Sequence, residues 1–214
     1  MITLTPLNRR EAVRYLGGAG VQMNAEMERL MDVCEAQLLG AAQPKFVWKR
    51  IDWPCEALTA GEDIERHLSG CTQAVLLGAT LGAAVDRLIR VAQIRDMAQA
   101  VVLDSMASVA VEQVCTQADA LLARQFPDMY MTFRFSPGYG DYPITLQADF
   151  LRLLDAPRKI GLTATEHYLL TPAKSVTAIA GLSPEPIEKQ RRGCAVCSLR
   201  NTCQYRKNGE HCGF

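Results

Sequence analysis

The sequence predicts a domain of mixed helices and strands, and three observations carry that prediction. Asp96 to Gln125 is the longest helical stretch, free of Gly and Pro and apolar nearly all round, as expected of a buried central helix. Met129, Met131, Phe133 and Phe135 alternate with Tyr130, Thr132 and Arg134, the period-2 pattern of a half-buried strand with Arg134 on its polar face. Phe46–Asp52 alternates in the same way, and Thr165–Thr171 and Ser175–Leu182 read as two strands flanking a Pro-Ala-Lys turn, either a hairpin or a strand-turn-strand connection. A chain of 214 residues fits one domain, or one domain with a small appendage.

The remaining elements follow in order. Asn8 with Glu11 forms a capping box and Gly17-Gly18 a stop, which predicts a short first helix. Asn24 caps a second helix whose Met27, Leu30, Met31, Cys34 and Leu38 form a core-facing stripe. Ile64, His67, Leu68 and Cys71 mark one face of a short helix, on which the lone His67 reads as structural. Ala74–Gly78 reads as a short apolar strand, and the turn from Gly78 to Gly82 leads into a helix carrying Val85, Leu88, Ile89 and Ala92. This turn lacks both the full Gly-x-Gly-x-x-Gly fingerprint and a phosphate-loop GK[ST], so a nucleotide-binding fold is not expected. Thr145 caps a helix with Leu146, Phe150, Leu153 and Leu154 that ends at Pro157.

Two features point to chemistry. The first is Arg134–Tyr142, where a strand ending in Arg134 breaks at Pro137-Gly138 and is followed by Tyr139 and Tyr142. A fixed cation, a bare backbone segment at Ser136–Gly138 and a stacking ring together suit a carboxylate plus a flat heterocycle. An Arg on a surface strand before an ordinary turn has the same local pattern. The second is the line Asp104, Ser108, Glu112 along the long helix. Carboxylates on a buried helix need a partner, either a basic residue such as Arg87 or Arg134 or a bound ligand.

The run Arg-x-x-x-Gly-Tyr at Arg134–Tyr139 resembles the S-adenosylmethionine-binding motif of the cobalamin-dependent methionine synthase activation domain family. Ile160–Leu182 is similar to the segment that follows that motif, with Gly161, Leu162, Thr163, Thr165, Glu166, Pro172, Ser175 and Val176 at matching spacing. Leu77, Gly78, Leu81, Gly82, Asp86 and Arg87 are similar to a further pattern of the family. The resemblance covers about Asn8 to Leu182 and implies an α+β fold, a twisted, mostly antiparallel sheet flanked by helices, in a stand-alone activation subunit. It implies that Arg134 meets the methionine carboxylate and Glu112 a ribose hydroxyl or the amino group. It further implies that Ser136, Pro137 and Gly138 bracket the adenine edge, with Tyr139 beside the ring. The partners it implies are a cobalamin-binding methionine synthase or other corrinoid protein, and an electron donor such as flavodoxin or ferredoxin. The chain departs from the family after Leu182, where Ser-Pro-Glu-Pro replaces tyrosine-containing strand residues that help hold the ligand.

Residues 184–214 read as a separate tail in which prolines make a linker and Cys194-x-x-Cys197, Cys203 and Cys212 offer tetrahedral thiolate ligands. An iron–sulfur cluster or zinc fits this set, His211 is an alternative to Cys212, and a disordered tail with incidental cysteines fits the same composition. Cys34, Cys55, Cys71 and Cys115 read as small core residues. Balanced formal charge gives no reason to expect nucleic acid or a membrane surface. With no signal-peptide pattern at Met1–Pro6 and no bilayer-length apolar run, the expected location is the cytoplasm. Two other readings of the residues are a metal-tail scaffold that docks on a corrinoid protein without binding S-adenosylmethionine, and a methyltransferase of atypical fold.

Overall fold

The computed structural model describes residues 2–17, 23–187 and 207. Among them a four-stranded antiparallel sheet lies between two layers of helices. In chain order the elements are α1 (Arg9–Tyr15), α2 (Ala25–Ala41), β1 (Lys45–Asp52), α3 (Glu62–His67), β2 (Gln73–Thr80), α4 (Ala83–Arg95) and α5 (Met97–Gln125). Then come β3 (Tyr130–Met131), a 3-10 turn (Ile144–Leu146), α6 (Gln147–Leu154), α7 (Ala156–Ile160), β4 (Thr163–Ala164), β5 (Leu170–Thr171) and β6 (Ser175–Ser183). The strand order is β1-β2-β6-β3, and β4 and β5 form a separate two-stranded sheet. The expected α+β architecture is the observed one.

The two inner strands explain the layering. Every residue of β2 from Ala74 to Thr80 is buried, because both faces are covered. On one face Leu77 and Ala79 pack with Met31, Cys34 and Leu38 of α2, Val85 and Ile89 of α4 and Leu103, Met106 and Ala110 of α5. On the other, Ala74 and Leu76 pack with Ile64 of α3, Phe150 and Leu154 of α6 and Ile160 of α7. The helix starts are set locally: Asn8 accepts from Glu11 N–H at 3.1 Å, Asn24 from Met27 N–H at 2.8 Å, and Asp96 from Ala98 N–H at 3.0 Å.

Several expectations change. Gly78 lies inside β2, which runs on to Thr80, so the turn into α4 is made at Gly82 rather than from Gly78. Thr145 caps nothing, because it sits within the 3-10 turn, and α6 starts without a side-chain cap. Of the two strands read about Pro-Ala-Lys, the first shrinks to β5 and pairs with β4 rather than β6, making a strand-turn-strand connection. Helix α5 is not buried all round. Val101, Asp104, Glu112 and Thr116 form an exposed ridge, so Asp104 and Glu112 escape the desolvation cost of a buried carboxylate.

Candidate functional site

Arg134 is delivered to α5 by an irregularity in the edge strand. Tyr130 pairs with Ser183 and Met131 with Leu182, but the next pair is Phe135 with Ile179, so the edge segment takes four steps where β6 takes three. That is the signature of a bulge, and it reverses the side-chain alternation. Met129 and Met131 pack with Leu122 of α5, whereas Phe133 and Phe135 lie against His67 at the end of α3. Strict alternation would put all four on one face and Arg134 on the other. With the extra residue inserted, Arg134 shares the α5 side with Met131.

There its guanidinium forms two ion pairs. Nη2 lies 3.1 Å from Glu112 Oε2 and Nε 3.1 Å from Asp119 Oδ2. The Arg134 side chain is 20% exposed and that of Glu112 50%, so the pair sits at the protein surface with its anionic end toward solvent. Burial works against the Arg134 charge, but neighbouring Asp119 and Glu112 outweigh it and hold the pKa above its ordinary value. Burial pushes the Cys115 thiol up to about 12, so it is neutral at pH 7 and the two carboxylates carry the compensation. One turn and more along the same ridge, Lys174 Nζ meets Asp104 at 2.8 Å and Ser108 Oγ at 3.0 Å. The line Asp104–Ser108–Glu112 therefore has basic partners within the protein: Arg134 as anticipated, and Lys174 in place of Arg87.

The loop after Arg134 is braced on α3. Asp141 accepts from Glu62 N–H at 2.7 Å and Asp63 N–H at 3.0 Å, and its own N–H donates to Asp63 Oδ2 at 3.3 Å. The contact is close enough to require glycine on both sides. A Cβ on Gly61 (φ +98) would fall 2.6 Å from Asp141 Oδ1, and one on Gly140 (φ +55) 2.1 Å from Asp63 Oδ2. Tyr142, 1% exposed, sends its hydroxyl to Leu58 O at 3.1 Å and packs on Phe135 and Phe150. Burial raises the Tyr142 pKa, so it stays a neutral donor. Pro137 is buried, Ser136 half-buried and Gly138 exposed, with Gly138 N–H donating to Tyr142 O at 2.8 Å. Tyr139 is 68% exposed at the tip.

Arg134 and Glu112 are thus brought together, and Ser136–Tyr139 follows on one braced loop. Two contributors escaped the sequence reading. Asp119 carries the acidic line of α5 two turns beyond Glu112, a spacing that could have shown it. His67, which had no visible partner in sequence, touches the backbone beside Arg134. Cys194, Cys197, Cys203 and Cys212 lie outside the described residues.

No family model matches the sequence, and no curated protein matches it. Among solved structures, the chain is similar to the crystal structure of the MetH reactivation domain bound to AdoHcy. The TM-score is 0.61 at 14% identity, covering 84% of this chain and 76% of that chain. The chain has the fold of that reactivation domain. Among the described residues no helix is long and apolar enough to cross a membrane.

Proposed function

We propose that this chain binds S-adenosylmethionine and presents its methyl group to reduced cobalamin on a partner, reactivating a corrinoid methyltransferase of the methionine synthase type. The observation that carries this reading is the Arg134–Glu112 pair, set on a fold shared with a domain bound to AdoHcy. AdoHcy is S-adenosylmethionine without its methyl group, so one site accommodates both.

The residues fit such a ligand. An α-amino acid presents a carboxylate and an ammonium, and a guanidinium beside a half-exposed carboxylate complements both. Arg134 takes the ligand carboxylate through its fork of five N–H donors, and Glu112 turns to the amino group or a ribose hydroxyl. Ser136–Gly138 lines the adenine edge with backbone, and the exposed Tyr139 ring lies beside it. When bound, S-adenosylmethionine supplies a methyl group to the partner's cobalamin with sulfur keeping the bonding pair, and the irreversible transfer draws the unfavourable one-electron reduction of cobalt forward. The chain's own part is orientation, so it needs no general base or nucleophile. The electron comes from a donor such as flavodoxin or ferredoxin.

Calorimetric titration with S-adenosylmethionine tests the reading, with AdoHcy as competitor. Saturable binding that AdoHcy displaces supports it. No binding overturns it, and retained docking on a corrinoid protein would then leave a scaffold. A separate proposal is that Cys194, Cys197, Cys203 and Cys212 hold one metal centre in the tail. Iron with sulfide, or one zinc per chain, after anaerobic purification supports it, whereas four freely titratable thiols overturn it.

A further inference from the structure

We infer that His67 is the positioning residue for Arg134: its ring N–H holds the Phe133 carbonyl and thereby fixes the peptide that aims the guanidinium at α5. His67 is the last residue of α3, 2% exposed, and its ring packs against those of Phe133 and Phe135, with centroids at 4.2 Å and 5.1 Å. Its Nε2 lies 2.8 Å from Phe133 O. A carbonyl only accepts, so Nε2 carries the proton and donates. The Thr132 hydroxyl donates to the same carbonyl at 3.1 Å, lies 3.1 Å from His67 Nε2, and accepts from Gly181 N–H at 2.8 Å.

Two donors thus converge on one oxygen inside the bulge. That oxygen belongs to the peptide joining Phe133 to Arg134, and because a peptide is planar, fixing the oxygen fixes the plane. On the far side of Arg134, Phe135 exchanges backbone bonds with Ile179 at 2.8 Å in both directions. Arg134 therefore stands between two immobilised peptides, and its Cα–Cβ bond has one direction, toward Glu112 and Asp119. The bulge creates the need: an extra residue in a strand has no ladder position of its own, and side chains from α3 and the strand itself supply the restraint. An apolar ring at position 67 would fill the same space and leave the carbonyl one donor short.

The ligand part of the test rests on the proposed S-adenosylmethionine site, and the geometric part does not. His67→Phe keeps an aromatic ring and deletes the donor, and His67→Gln restores an N–H donor. The primary readout, without added ligand, is solvent exchange of the Arg134 guanidinium N–H protons by nuclear magnetic resonance, since Nη2 donates to Glu112 Oε2 at 3.1 Å. In His67→Phe exchange is expected to quicken about tenfold and the S-adenosylmethionine Kd to rise about tenfold, the effect of one lost hydrogen bond. His67→Gln should recover most of both. An unmoved Arg134 signal in His67→Phe overturns the inference, whatever happens to the melting temperature, because a packing role would lower stability alone. If the natural protein binds no S-adenosylmethionine while the signal is lost in Phe and regained in Gln, the positioning role stands and the ligand reading falls. Should His67→Phe not fold, Thr132→Val removes the second donor to Phe133 O. Faster Arg134 exchange in that variant supports the same device, and an unchanged signal overturns it.

Discussion

Tyr139 and Tyr142 belong to one loop, share one side-chain chemistry and have opposite fates. Tyr142 is driven into the core between Phe135 and Phe150, and its hydroxyl closes on the Leu58 carbonyl. Tyr139 caps a tight turn closed by its own N–H on Ser136 O and leaves its ring in water. The difference divides Arg134–Tyr142 into two functional parts. Gly140, Asp141 and Tyr142 anchor the segment to α3 and the core around Phe150, whereas Arg134, Ser136 and Tyr139 are what the anchored segment presents.

Substitutions at four positions break or sharpen that division, and the positions fall in order of size. Tyr142→Ala should have the largest effect, about 3–5 kcal/mol of stability from the emptied core site, read by chemical denaturation. Tyr142→Phe should cost about 1 kcal/mol through the hydroxyl alone. A Tyr142→Ala protein as stable as the natural one would remove the anchor from the comparison. Arg134→Ala comes next, with S-adenosylmethionine affinity falling at least about tenfold, corresponding to about 1.5–3 kcal/mol for a charge-assisted pair. Lysine should rescue poorly because it lacks the planar fork. Calorimetry giving an unchanged Kd in Arg134→Ala would withdraw the central assignment.

Glu112→Gln should weaken binding by a smaller factor while moving the melting temperature little. At half exposure its ion pair contributes no more than about 1 kcal/mol to folding. A clear loss of stability with normal affinity would make Glu112 a structural partner of Arg134 instead. The smallest effect belongs to Tyr139→Ala: no change in unfolding, and an affinity loss of about 0.5–1.5 kcal/mol for the ring contact. Equal affinity in that variant would leave Tyr139 outside the site.

What could be read from sequence was what residues decide among near neighbours. The Asn8 and Asn24 caps, the stripe of α2 and the acid line of α5 all obey rules that span a few positions, and the structure keeps them. What was misread depends on partners far along the chain. The alternation from Met129 to Phe135 is sound as a pattern, but the bulge that reverses it is set by pairing with β6 and by His67. Tyr139 and Tyr142 read alike in sequence, because the acceptor that draws Tyr142 inward, Leu58 O, is 84 residues away. The α5 carboxylates looked buried because the periodicity of a helix that is mostly apolar hides a narrow wet ridge. Arg134 was one of two basic partners the sequence offered for the acid line, and the three-dimensional pairing of β3 and β6 selects it and puts it 3.1 Å from Glu112.

The two-way aspartate brace between α3 and the loop has a consequence for transplanting this segment into another scaffold. Asp63 and Asp141 each bind the other's strand of backbone, and neither Gly61 nor Gly140 has room for a methyl group. The motif is therefore not a portable nonapeptide. Any graft needs at least the two pieces of chain 61–67 and 134–142, cut together like the halves of a hinge. A designer who copies only the second piece inherits the residues without the hold that shapes them.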